Sequence, residues 1–202
     1  MRKLFEIGGI VAGVVLIAFG VAAISMGIDG RTTVRDSLKQ EQIVFGAVDD
    51  PAVAKFASKW ADKPLQTGTQ ARAFAQIMHE HALESSDGLA YAEMGRFVSA
   101  ADPQSAAGTS DETAALKDEK GNPVSNTARN TWVTATALST ALNVSYMAEQ
   151  MALFGIVVGI ALLLSGIGFI ILALSGSLRR RELAPAKAEK TAGAIQPTPA
   201  IN

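Results

Sequence analysis

The sequence predicts an all-α membrane protein: two transmembrane helices with a mainly helical extracytoplasmic domain between them. Three observations predict this class. Two apolar runs without a single charge, residues 7–28 and 151–178, lie toward opposite ends of the chain. A polar block of about 120 residues separates them. Basic residues also gather on the outer flanks of the two runs. Each run exceeds the ~20 residues with which a helix crosses ~30 Å of hydrocarbon, and no soluble core of this size needs two such stripes. The expected organisation is a cytoplasmic N-terminus (1–6), a first span (7–28), an extracytoplasmic helical domain (29–149), a second span (150–178) and a cytoplasmic disordered tail (179–202).

Orientation follows from the lysines and arginines nearest the spans, because long loops cross a membrane largely regardless of charge. Arg2 and Lys3 precede the first run, and Arg179, Arg180 and Arg181 close the second as a stop-transfer cluster. On the loop side, Arg31, Arg35 and Lys39 follow the first run, while residues 131–150 contain no basic residue. Both termini are therefore predicted in the cytoplasm of a multi-pass plasma-membrane protein. A cleaved signal peptide is the competing reading, since Val21, Ala22 and Ala23 offer small residues for cleavage. Against it, the first apolar run spans 22 residues, where a signal core takes ~7–15.

Charge excludes one class of partner. The middle block holds 11 Lys/Arg against 16 Asp/Glu. Such a slightly acidic surface is no footprint for nucleic acid. The chain has no cysteine, which removes disulfides, thiolate metal sites and cysteine nucleophiles from consideration.

Both spans carry the same small-residue seam. In the first, Gly9, Gly13, Leu16, Gly20, Ala23 and Gly27 follow alternating steps of four and three; in the second, Gly155, Gly159, Leu162, Gly166, Phe169 and Ala173 repeat the pattern, with Gly176 beyond. That alternation keeps one stripe on one helix face with the period of a left-handed pair. Small side chains along it let two backbones approach closely, which matters in lipid because no hydrophobic drive pulls helices together. The helix-packing residues are thus Gly9, Gly13, Gly20, Gly27, Gly155, Gly159, Gly166 and Ala173. They serve either a hairpin within one chain or a dimer. Neither span holds a charge, whereas a transport path normally needs ionisable groups inside the membrane.

The middle block reads as short helices. A helix leaves the membrane over residues 32–44, with Gly30 a candidate kink. Asp50-Pro51 is an N-cap followed by proline at the first helical position. Val53, Phe56, Ala57 and Trp60 then give an amphipathic stripe. A second helix is expected over 70–86, capped by Thr69 and stopped by Gly88, with Phe74, Ile77, Met78, His81 and Ala82 on its apolar face. A short helical turn follows near Tyr91, residues 99–112 read as a flexible loop, and 114–124 as a small hairpin around Lys120-Gly121-Asn122-Pro123. Asn126 caps a final helix running through Trp132, Leu138, Leu142 and Tyr146 into the second span.

Candidate chemistry is sparse. His79, Glu80, His81 and Glu84 are the one cluster resembling a metal or acid–base site, but His79 and His81, two apart on a helix, diverge. His81 also falls on the apolar stripe, where a core histidine is the usual outcome. Trp60, Tyr91, Phe97 and Trp132 are aromatic enough to line a ligand groove, although aromatics of a small helical domain more often form its core. Asn143-Val144-Ser145 matches a glycosylation sequon inside a predicted helix. No catalytic residue, cofactor or metal ligand is assigned.

Several strings together resemble a family of two-span envelope proteins of high-GC Gram-positive bacteria. They are Ile10-Val11-Ala12-Gly13-Val14-Val15-Leu16-Ile17-Ala18-Phe19-Gly20, His81-Ala82-Leu83-Glu84, Tyr91-Ala92-Glu93-Met94-Gly95-Arg96-Phe97 and Ser145-Tyr146-Met147-Ala148-Glu149. The resemblance covers most of the chain outside 99–120 and the tail, and it implies the same two-span topology. Some relatives carry the label of an aromatic ring-opening dioxygenase. Such an iron site needs two histidines and a carboxylate converging, and the two histidines here are divergent. The expected role is a non-enzymatic accessory or scaffold subunit of the cell membrane, with the lipid bilayer, a second copy or another membrane protein as partner. The alternative is an extracytoplasmic ligand-binding or sensory module.

Overall fold

The computed structural model describes residues 2–175. Residues 176–178 of the second predicted span, the cluster Arg179, Arg180 and Arg181, the rest of the tail, Met1 and the side chains of residues 2–5, Arg2 and Lys3 among them, lie outside the description. The described chain forms four α-helices: α1 (Arg2–Gln40), α2 (Pro51–Ala57), α3 (Gly68–Ser85) and α4 (Thr127–Leu174). Short 3-10 turns at Ser58–Trp60 and Tyr91–Glu93 complete the helical content. Among the described residues there is no extended strand, only isolated antiparallel bridges.

α1 and α4 pack antiparallel as a long stem, and both continue into a head built with α2 and α3. Each is long and apolar enough to cross a membrane, with a mean hydropathy of 2.6 and 2.8 over the most apolar stretch. Only 11% and 17% of those stretches are buried within the protein. A core helix of a soluble protein would be mostly covered, so these stretches present their apolar side chains outward. Phe19, Met26, Phe154 and Leu164 are among the exposed ones. α1 passes Gly30 without a break and ends at Gln40, not at the expected Val44.

The head has one apolar core. Leu38 of α1, Val53 and Ala57 of α2, Ala71 and Ile77 of α3 and Leu142 of α4 close around Phe45 and Leu65. Phe45 stacks on Trp60 at 5.9 Å between centroids and meets Phe74 edge-on at 5.5 Å. Local signals start the helices. The Asp50 carboxylate accepts the amides of Ala52 (2.8 Å) and Val53 (3.3 Å), with Pro51 in the first turn. α3 is capped by Thr67, not Thr69: the Thr67 hydroxyl accepts the Gln70 amide, and the helix begins two residues earlier than expected. It closes with the Gly88 amide on the Leu83 carbonyl (2.8 Å).

Residues 99–112 are not the free loop their composition predicts. Phe97 and Thr109 exchange both main-chain hydrogen bonds (2.9 and 2.8 Å), Ala100 donates to Ala114 (2.9 Å), and Leu116 donates to Val98 (2.8 Å). Backbone groups make these ties, so the polar side chains concealed them. The small hairpin forms where expected. Asp118 accepts from the amides of Lys120 and Asn122 at its tip, and Gly121 takes φ +82°, which a residue with a Cβ rarely adopts.

Asn126 joins this segment to the stem. It is 4% exposed. Its Oδ1 accepts the Arg129 amide at the start of α4, while its Nδ2 donates to the carbonyls of Gly95 (3.1 Å) and Ala106 (2.8 Å). Asn126→Ala removes a cap and strands two carbonyls, an expected loss of about 2 kcal/mol. Thermal unfolding of the full chain in mild detergent measures it. Asn126→Asp, which keeps the cap but sets a carboxylate oxygen against the two carbonyls, should lose at least as much.

Candidate functional site

The predicted seam residues of the two spans face one another inside a single chain. A Cβ placed on Gly13 would lie 2.7 Å from the Gly166 carbonyl oxygen; on Gly20, 2.7 Å from that of Gly159; on Gly27, 2.7 Å from that of Ala152. Gly9 sits against Ala173, whose Cβ would be 3.3 Å away. The contacts advance seven residues on α1 as they retreat seven on α4, the register of an antiparallel left-handed pair. Backbone therefore touches backbone at three successive levels. Gly155 lies at the edge of this seam, where a Cβ would meet only the Ala23 carbonyl at 3.8 Å.

At the head end of the seam sits a residue the sequence reading passed over. Glu149 of α4 is 3% exposed. Its Oε1 accepts from Nε of Arg31 (3.0 Å) and of Arg35 (2.8 Å), and its Oε2 from the Gly68 amide that opens α3 (2.6 Å). One carboxylate thus ties three helices together. Arg31 and Arg35 are four apart, so both project from one side of α1. Gly68 allows the approach: a Cβ there would lie 2.8 Å from the Tyr146 Cα. Burial pushes the Glu149 carboxyl up, but the hydrogen bonds from Arg31, Gly68 and Arg35 outweigh it and hold it below the ordinary value of 4.5. Its charge is kept because three donors, two of them cationic, replace the water that burial removed.

The histidines do not converge. His81 is not in the core; its side chain is 43% exposed, with Nε2 3.0 Å from Oδ2 of Asp50. The Asp50 carboxyl is raised by its partial burial but more strongly lowered by the amides of Ala52 and Val53 and by His81, and so sits below its ordinary range. Glu80 turns to Lys55 (3.1 Å), and His79 meets the Trp132 ring edge-on at 5.4 Å. Among the described residues no group of three metal-ligating side chains forms. The four aromatics do not share a groove either. Trp60 belongs to the core and Trp132 to His79, while Tyr91 lies under the Arg129 guanidinium at 4.1 Å.

A shallow cleft of about 330 Å³ runs between α3 and α4, lined by Phe56, Gln76, His79, Glu80, Ser139 and Asn143. His79 and Glu80 form part of its wall, and Phe56 and Ala75 make the lining mainly apolar. Comparison of the chain with protein families, with curated proteins and with solved structures finds no match.

Proposed function

We propose that this chain is a two-span protein of the cell membrane, a non-enzymatic accessory or scaffold subunit that holds its head rigidly on the membrane-spanning stem. The observation carrying this reading is the continuity of stem and head. α1 and α4 pass unbroken from the apolar stretch into the head, and Glu149 fastens α3 to both at the junction. Such a construction favours presentation over catalysis. Glu80 and His81, which an enzyme would use, are turned to Lys55 and Asp50.

The glycine seams hold the hairpin in this reading. Association with a second copy or with another membrane protein then falls to the outward faces of the stem or to the head. In this reading both termini lie in the cytoplasm and the head outside, the orientation that the basic outer flanks favour. The resemblance to two-span envelope proteins of high-GC Gram-positive bacteria points the same way. Because the chain has no cysteine, Ser110→Cys supplies a single label site in the head. A membrane-impermeant maleimide added to intact cells should modify it, and crosslinking from the same position should capture a membrane partner or a second copy. Labelling only after lysis would overturn the orientation. A strictly monomeric, uncrosslinked protein would overturn the scaffold role.

The cleft beside His79 favours a second reading, a ligand-binding or sensory module. Specific thermal stabilisation of the full chain by a small polar ligand, abolished by Asn143→Ala, would support it over the first.

A further inference from the structure

The Glu149 junction leaves a charge over. The carboxylate neutralises one guanidinium, and two arginines meet it. Each uses only its Nε, so the Nη ends of both remain as forks of donors; their side chains are 38% and 35% exposed. Arg72 of α3, 4.9 Å over the Tyr146 ring one turn along α4, adds a third cation at the same end of the stem. The acids nearby do not cancel this excess. Asp36 is engaged by Lys39 at 2.9 Å, and Asp29 stands two residues from Arg31, on the other side of the helix.

Depth fixes what such a pair meets. Arg31 and Arg35 follow the last apolar residue of the first run, Ile28, by three and seven positions. At 1.5 Å per residue that is about 4.5 and 10 Å beyond the hydrocarbon edge, and the headgroup layer on each side is ~5–8 Å thick. The two forks therefore span the level of lipid phosphates. Guanidinium forks match phosphate oxygens in a bidentate geometry that an ammonium lacks.

We propose that Arg31 and Arg35, oriented by Glu149, form a site for a phosphate oxyanion carried by an anionic lipid headgroup. Glu149 is a positioning residue here: by taking both Nε atoms it leaves the Nη forks of two part-exposed side chains unspent side by side. Arg31 and Arg35 together, less Glu149, leave one positive charge, which suits a phosphodiester monoanion, and Arg72 adds to the attraction. This inference rests on the two-span reading and is tested apart from it.

The full chain is reconstituted into nanodiscs of phosphatidylcholine with a graded fraction of phosphatidylglycerol, and retained lipid is read by native mass spectrometry. Wild type should retain phosphatidylglycerol over phosphatidylcholine by about tenfold. Arg31→Lys with Arg35→Lys keeps both charges and the pairing with Glu149 but removes the forks. The preference should fall to about twofold or less while thermal stability in pure phosphatidylcholine is kept. Arg35→Lys alone, which leaves Arg31 on Glu149, should lose part of the preference if the double variant fails to fold. No preference in wild type, or an undiminished one in the lysine variants, would overturn the site. Stabilisation by inorganic phosphate in neutral discs without lipid preference would overturn its assignment to a headgroup. A chain that fails to enter discs at all would instead overturn the two-span reading.

Discussion

Gly20→Leu is expected to open the stem. A side chain at this position meets the Gly159 carbonyl and the Leu163 amide nitrogen, 2.7 and 2.8 Å from its first carbon. These are main-chain atoms, which cannot swing aside as the end of a flexible side chain can. Overpacking a tight contact typically costs 1–3 kcal/mol, and a leucine driven into backbone belongs at about 3 kcal/mol, a hundredfold shift in the pairing equilibrium. Lipid offers separated helices no hydrophobic penalty to drive them back together. The absence of native cysteine provides the readout. With Gly9→Cys and Ala173→Cys the two Cβ atoms start about as close as a disulfide needs, and oxidation should give an internally bridged monomer. Adding Gly20→Leu should abolish most of that bridge. Gly168→Leu is the control, since a Cβ at Gly168 meets nothing within 4 Å, and it should leave the bridge intact. A disulfide-linked dimer in place of the bridged monomer would mean that the seams pair between chains.

Glu149→Ala should be the other severe substitution. It removes the acceptor shared by two guanidinium groups and leaves the Gly68 amide buried without a partner. Breaking a buried ion pair costs ~3–5 kcal/mol, but Arg31 and Arg35 are more than a third exposed and water relieves them in part. About 2–3 kcal/mol is the expected loss. The pH dependence has a definite sign. The native carboxyl titrates below its ordinary value of 4.5, so its contribution is complete above that value and disappears as pH falls through the lowered native one. Acid titration of stability should therefore show a descending limb below pH 4.5 in wild type, flattened in Glu149→Gln. A wild-type curve no steeper than the variant's would show that the junction does not hold the head to the stem.

Periodicity made the helices legible. The apolar runs, the stripe from Val53 to Trp60 and the caps at Asp50 and Asn126 each follow a local rule, and the structure places elements on all of them. Non-local ties were harder to read. Thr69 looked like a cap because it is the threonine nearest the predicted start, yet Glu149, 81 residues away from Gly68, draws the first turn of α3 back to Thr67. His81 fell on the apolar face of an ideal helical wheel, but Asp50 holds it at the surface. The ladder around Phe97 and Thr109 uses amides and carbonyls that every sequence carries, so no pattern of side chains announces it. Glu149 was recoverable in principle. Extending the four-three spacing beyond the Gly27–Ala152 level by half a repeat, four residues on α1 and three on α4, brings the 149 level of α4 beside Arg31. A lone acid at that level, opposite two arginines one turn apart, is the signal.

The unbroken passage of α4 through the junction has a mechanical consequence. Residues 127–150 of α4 stand beyond the apolar stretch, an arm of roughly 36 Å at 1.5 Å per residue. Helices in bilayers adjust to local thickness by changing tilt, typically within ~0–40°. A change of 10° at the pivot would sweep the far tip by about 6 Å along the membrane plane. If the stem spans a bilayer as proposed, thinning or thickening of the lipid around this unbroken helix is amplified into a lateral stroke at the far end of the head.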